Sequence, residues 1–184
     1  MPVITLIIVI ITVLTSMAAF RRKELFYKLD LSPARIVHHK EYYRIFSHAF
    51  LHADYFHLGI NMLVLYSFGR YVEQVFSQLE ASGMIFSGTF FYTLLYLISI
   101  ALASVSTISR NRNNEGYSAV GASGAVSAVV FTYIFFAPLE KIYFYMVLPS
   151  RELFSEFCTW SIPVTWAGAK AITSTTLPIS GVQW

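Results

Sequence analysis

Residues 2–20 form nineteen consecutive positions without a charged side chain, closed by Arg21, Arg22 and Lys23. A helix needs about 20 mainly apolar residues to cross the roughly 30 Å hydrocarbon core of a bilayer, so this run has very few homes. A secretory signal peptide would carry its basic residues before the apolar run and a small-residue cleavage site after it. Here the basic cluster follows, and the reading is a retained membrane anchor. Composition agrees: 56% of the 184 residues are hydrophobic, only 12% are charged, and the mean hydropathy is +0.58. Soluble domains are about a quarter charged. Aromatic residues reach 17%, which excludes a disordered chain. The single cysteine, Cys158, excludes an internal disulfide framework and a cysteine-based zinc site. With a net charge of +3 and no basic run patterned for it, nucleic acid is not an expected partner.

Three further spans are expected. Residues 55–76 carry His57, Asn61, Arg70 and Glu73, residues 86–103 carry no charge, and residues 119–136 open on Gly121-Ala122-Ser123-Gly124-Ala125. Polar groups inside a span face a bundle interior or a cavity, because facing lipid is expensive. Residues 21–54 hold seven Lys/Arg and four Asp/Glu and are expected to form a partly structured interfacial loop. From residue 150 the texture changes to Thr, Ser, Trp and Pro without a helical period. The expected organisation is an all-α polytopic membrane domain over residues 1–149, followed by an aberrant, poorly ordered tail over residues 150–184.

The chemistry-bearing residues each admit two readings. Ser123, between glycines, is either small-residue helix packing or a buried nucleophile that needs a base to activate it. His57 and Asn61, spaced i, i+4, share one helix face. They are either polar glue between helices or donors aimed at a developing oxyanion. His48 and His52 repeat that spacing, but no third ligand stands at a recognisable distance, so no metal is expected. Glu73, four residues after Gly69, is a helix-end charge at the membrane interface or something more specific. Arg44 is an interfacial anchor or a brace hydrogen-bonded to loop carbonyls.

Taken in order, the set resembles the rhomboid intramembrane serine proteases. It comprises Tyr43-Arg44-Ile45-Phe46-Ser47-His48-Ala49-Phe50-Leu51-His52, then His57-x-x-x-Asn61, Gly69-x-x-x-Glu73 and Gly121-Ala122-Ser123-Gly124. The resemblance implies a six-helix bundle, of which four helices are recognisable here, that cleaves transmembrane protein substrates with a Ser-His dyad. It implies Ser123 as nucleophile, with His57, Asn61 and the Ser123 backbone N–H stabilising the oxyanion. Gly121 takes the motif glycine's place, and Arg44, His48, His52, Gly69, Glu73 and Gly124 are structural. No cofactor is implied. The expected setting is the lipid bilayer, as a multi-pass protein of a bacterial inner or cell membrane.

There are departures. The family's sixth-helix Ala-His-x-x-Gly motif is absent, and no histidine follows His57 in the sequence. Ser127 stands where family members often have a Tyr against the catalytic His. The family's usual orientation would also leave the Arg21-Arg22-Lys23 cluster outside, against the positive-inside tendency. The chain as written is expected to be inactive. A frameshift after Pro149 would account for this. Re-read one base out of register, residues 151–184 can spell an apolar helix ending in a basic cluster, then Ala-His-Phe-Trp-Gly. The rival reading is a rhomboid-like pseudoprotease that binds transmembrane helices without cutting them.

Overall fold

The computed structural model describes residues 3–137. Their helices are α1 (Val3–Arg21), α2 (Lys23–Leu29), α3 (Pro33–His39), α4 (Arg44–Ser47), α5 (Tyr55–Ala81), α6 (Gly88–Asn111) and α7 (Ser123–Phe136), with a 3₁₀ turn at His48–Phe50. No strand forms among the described residues; a single antiparallel bridge pairs Leu31 with Ala119.

The burial pattern of α1 is inverted relative to a helix in water. Its buried residues are Thr5, Thr12, Ser16 and Ala19, while Leu6, Ile7, Ile10, Ile11 and Leu14 face outward. Lipid tails are as apolar as leucine, so a lipid-facing helix keeps its large apolar side chains outside and its small and polar ones at the helix contacts. α1 and α6 are both long and apolar enough to cross a membrane. α6 buries Gly88, Tyr92, Tyr96, Ile100 and Ser104, one stripe spaced every four residues. α5 carries Arg70, Glu73 and Glu80, and α7 has 14 residues.

α1 lies antiparallel to α5: Thr5 meets Glu73 at one end, and the Phe20 ring packs tilted against Tyr55 at 4.5 Å at the other. α6 starts where its backbone touches that of α5. A Cβ on Gly88 would lie 2.5 Å from the Phe76 carbonyl oxygen, so only glycine fits. α7 runs parallel to α5, with the Tyr133 ring against Phe68 and Tyr71 at 4.9 and 4.8 Å. Gly124 brings α7 onto Ala103 of α6. The short helices α2 to α4 form a shelf at the end of the bundle where α1 finishes and α5 begins.

Three boundaries differ most from the expectation. α5 continues to Ala81, beyond residue 76, and α6 continues to Asn111, beyond residue 103. Intrahelical hydrogen bonds carry a helix on past the apolar run that marks it in the sequence. α7 begins at Ser123 and not at residue 119, because Gly121 has φ +127°, which no right-handed helix contains. The expected tail over residues 150–184, and with it the frameshift reading, lies outside the described residues.

Candidate active site

Ser123 is the first residue of α7. The N–H groups of a helix's first turn have no partner within the helix and carry its positive dipole end, so Ser123 stands where an anion is favoured. Among the described residues its hydroxyl makes no hydrogen bond. The segment leading into it is held from the shelf at three points. Leu31 and Ala119 exchange backbone hydrogen bonds of 2.9 and 3.1 Å. The Gly121 N–H donates to the His48 carbonyl at 3.0 Å. The Ser118 hydroxyl donates to Asp30 Oδ2 at 2.6 Å.

Asp30 is in turn fixed by Arg44. The Arg44 guanidinium is 1% exposed, and its Nη1 donates to the carbonyls of Tyr27 and Asp30 at 3.1 and 2.9 Å and to Asp30 Oδ1 at 2.6 Å. Its Nε pairs with Glu41, which holds the Glu41 carboxyl below its ordinary range. Arg44 thus hydrogen-bonds two backbone carbonyls and pairs with two carboxylates from a buried position.

His57 lies in the first turn of α5, where its N–H donates to the capping carboxylate of Asp54 at 2.7 Å. Its ring faces Gly121. A Cβ placed on Gly121 would be 3.2 Å from His57 Cε1, 3.7 Å from His57 Nε2 and 4.0 Å from the Ser123 nitrogen. Gly121 therefore serves twice: its left-handed backbone starts the turn, and its missing side chain leaves His57 and the Ser123 N–H facing one small volume. Asn61 is 1% exposed and one turn deeper; its Nδ2 donates to the His57 carbonyl at 2.9 Å, while Oδ1 has no partner among the described residues. One amide proton of Nδ2 remains to be given.

Behind His57 stands His52, ring to ring at 5.1 Å and edge-on. Ser16 of α1 donates its hydroxyl proton to the Phe50 carbonyl at 2.9 Å and lies 3.1 Å from His52 Nδ1. That assigns the His52 proton to Nδ1 and leaves Nε2 as a buried acceptor without a partner among the described residues. Burial, then the neighbouring His57, pushes the His52 pKa down to about 4, and burial lowers that of His48 as well. His48 Nδ1 bonds the Arg44 carbonyl at 3.0 Å. Both histidines are tied to loop and helix groups, and no three His, Cys, Asp or Glu side chains converge as metal ligands among the described residues.

Glu73 is far from this cluster, toward the other end of α5. It is 6% exposed and accepts from the N–H groups of Ile4 and Thr5 at 2.9 Å each and from the Thr5 hydroxyl at 2.7 Å. It caps the N-terminus of α1, satisfying donors that have no partner within the helix. With the Thr5 proton given to Glu73, the Tyr92 hydroxyl donates to Thr5 Oγ1 at 2.9 Å. Gly69 is where α1, α5 and α6 converge: a Cβ there would meet Tyr92 Oη at 2.7 Å and Thr5 Cγ2 at 2.9 Å.

The structure thus brings together His57, Gly121 and Ser123, with Asn61 one turn below, and sets Gly69 and Glu73 apart as a helix clamp. Reading the sequence alone missed Asp30, Ser118, Ser16, Thr5 and Tyr92. A family model for the rhomboid domain matches residues 39–180, a stretch that holds every motif named above and most of the tail. No curated protein and no solved structure matches the chain.

Proposed function

The chain belongs to the rhomboid family, and from that premise we propose that it is built as an intramembrane serine endopeptidase with Ser123 as its nucleophile. Rhomboid proteins are membrane proteins, and the two membrane-capable helices fit that setting. In the proposed arrangement α5 and α7 span the bilayer with α1 and α6, four helices of a six-helix bundle, in a multi-pass protein of a bacterial cell membrane.

The observation that carries the reading is the approach of His57 and the Ser123 N–H around Gly121. In the proposed step, Ser123 Oγ attacks a carbonyl of a transmembrane substrate and its proton passes to a base. The carbonyl oxygen becomes an oxyanion facing the Ser123 N–H, the dipole end of α7, His57 and Asn61. Donors placed where charge develops are worth most in a site that excludes water. The Asp30–Ser118 and His48–Gly121 bonds hold the turn, so the donors need not reorganise during reaction.

These 184 residues hold no histidine after Ser123 to serve as that base. Every histidine of the sequence lies at or before position 57, and none is on a helix after Ser123. The chain as written is therefore proposed to be non-catalytic, with the nucleophile and oxyanion site assembled and the dyad incomplete. The test uses a chain whose residues 151–184 are replaced by the re-read Ala-His-x-x-Gly-containing sequence. In that background Asn61→Ala should lower turnover by roughly 10²-fold, the effect of losing one oxyanion donor. If Asn61 only joins helices, stability will fall while turnover per folded molecule is preserved, and the proposed role of Asn61 fails.

A further inference from the structure

At the end of the bundle that carries Ser123, the described residues expose cations that the site does not use. Arg21, Arg22, Lys23, Lys28, Arg35 and Lys40 are exposed on and beside the shelf. Arg110 and Arg112 join them, because α6 starts beside Phe76 and runs back to this end. Exposed Glu24, Asp54 and Glu115 offset only part of this charge, and Asp54 is already occupied in capping α5. The connection at the opposite end, residues 82–87, has no charged residue at all. Among the shelf cations, Tyr27, Tyr42, Tyr43 and Phe46 are exposed. Amphipathic rings of this kind settle at headgroup depth, and Lys and Arg on an interfacial segment attract anionic lipid. Arg44, the buried exception, ties the parts of the shelf together through Asp30 and Glu41, and Asp30, Leu31 and His48 join it to residues 118–121, so the cations are presented on a fixed surface.

We propose that this shelf, with the end of α6, binds the headgroups of anionic phospholipids in the leaflet covering the Ser123 end and gathers them around the bundle. The inference rests on the multi-pass reading above. The surface offers phosphates a row of cations, and it offers the acyl boundary aromatic side chains.

The full chain, reconstituted in phosphatidylcholine bilayers, is to be probed with trace spin-labelled phosphatidylglycerol or spin-labelled phosphatidylcholine, reading the motionally restricted fraction by electron paramagnetic resonance. Each cation engaged near the surface strengthens the attraction roughly fivefold. Averaged over the whole perimeter, the expected preference for phosphatidylglycerol is about threefold or more at low salt, falling toward unity at about 1 M salt as screening shortens the Debye length to about 3 Å. The variant R21Q/R22Q/K23Q/R110Q/R112Q should lose most of that preference; should the variant fold poorly, the salt series on the unaltered chain decides the question by itself. No preference, or one that salt does not diminish, overturns the inference. So does tight binding of a soluble acidic peptide by a chain that shows no lipid preference, which would assign the cations to a protein partner. Resistance to alkaline carbonate extraction is measured on the same membranes. A retained chain without lipid preference refutes only this inference, whereas an extracted chain refutes the multi-pass reading beneath it.

Discussion

Gly121 concentrates two demands in one residue, since its backbone and its missing side chain are both in use. At φ +127° any L side chain is strained, and a methyl would press on the His57 ring at 3.2 Å. Gly121→Ala should destabilise the bundle by about 1–3 kcal/mol, seen as a lower thermal midpoint in detergent; an unchanged midpoint would contradict the geometry. His52 supplies a pH dependence. Its folded-state pKa of about 4 lies below the ordinary value of 6.5, so between these values the unfolded chain takes up a proton that the folded chain refuses. Stability should therefore fall as pH drops from about 6.5 to 4, by up to about 1.4 kcal/mol per unit, and His52 should add no further loss below that. His48, also lowered by burial, acts in the same direction. Unfolding followed from pH 7 to pH 4 checks this: His52→Gln should flatten the slope, and an identical slope would rule His52 out. At this scale the residue types and spacings were legible in the sequence, but their partners were not. Arg44 reads as either anchor or brace until Asp30 and the Tyr27 carbonyl are seen beside it. Asp30 gives no signal of its own, because its hydroxyl partner Ser118 is 88 residues away.

Among the elements, α1 shows most clearly why apolar runs were readable and contacts were not. A run without charge announces a span by its length, whereas the choice of Thr5, Thr12 and Ser16 as the inward face depends on helices far along the chain. Gly69 and Glu73 were visible as a spaced pair on α5, yet their purpose rests on Thr5 and Tyr92, which no local pattern connects to them. This clamp predicts that Gly69→Ala destabilises by about 1–3 kcal/mol, the usual range for overpacking a filled contact. The added methyl would sit 2.7 Å from Tyr92 Oη. Glu73→Ala should loosen α1 specifically, because it orphans the buried Thr5 N–H, at about 1–3 kcal/mol, and the half-buried Ile4 N–H. Limited proteolysis in detergent should then cut near residues 21–23 earlier than elsewhere, and unaltered cleavage kinetics would contradict the clamp. The boundary of α7 is hidden in the sequence for a related reason: small residues continue an apolar pattern through Gly121 although the backbone there cannot be helical.

Over the whole molecule, the family and the all-helical fold were legible because an ordered set of short motifs falls in successive apolar runs. The assembly of the site was not, since it depends on the shelf reaching across to residues 118–121 through Asp30, Leu31 and His48. In the proposed reading this chain carries a prepared nucleophile and oxyanion site without a base. Removing a catalytic base costs at least ~10²–10⁴-fold and, by analogy with triad knockouts, nearer ~10⁶-fold. The most direct measurement compares cleavage of a transmembrane substrate in liposomes by the purified 184-residue chain and by the chain with residues 151–184 re-read one base out of frame, each with its Ser123→Ala counterpart. The expected result is no cleavage by the first, cleavage by the second, and loss of that cleavage in Ser123→Ala. Ser123-dependent cleavage by the 184-residue chain, or a folded re-read chain that does not cleave, would contradict it.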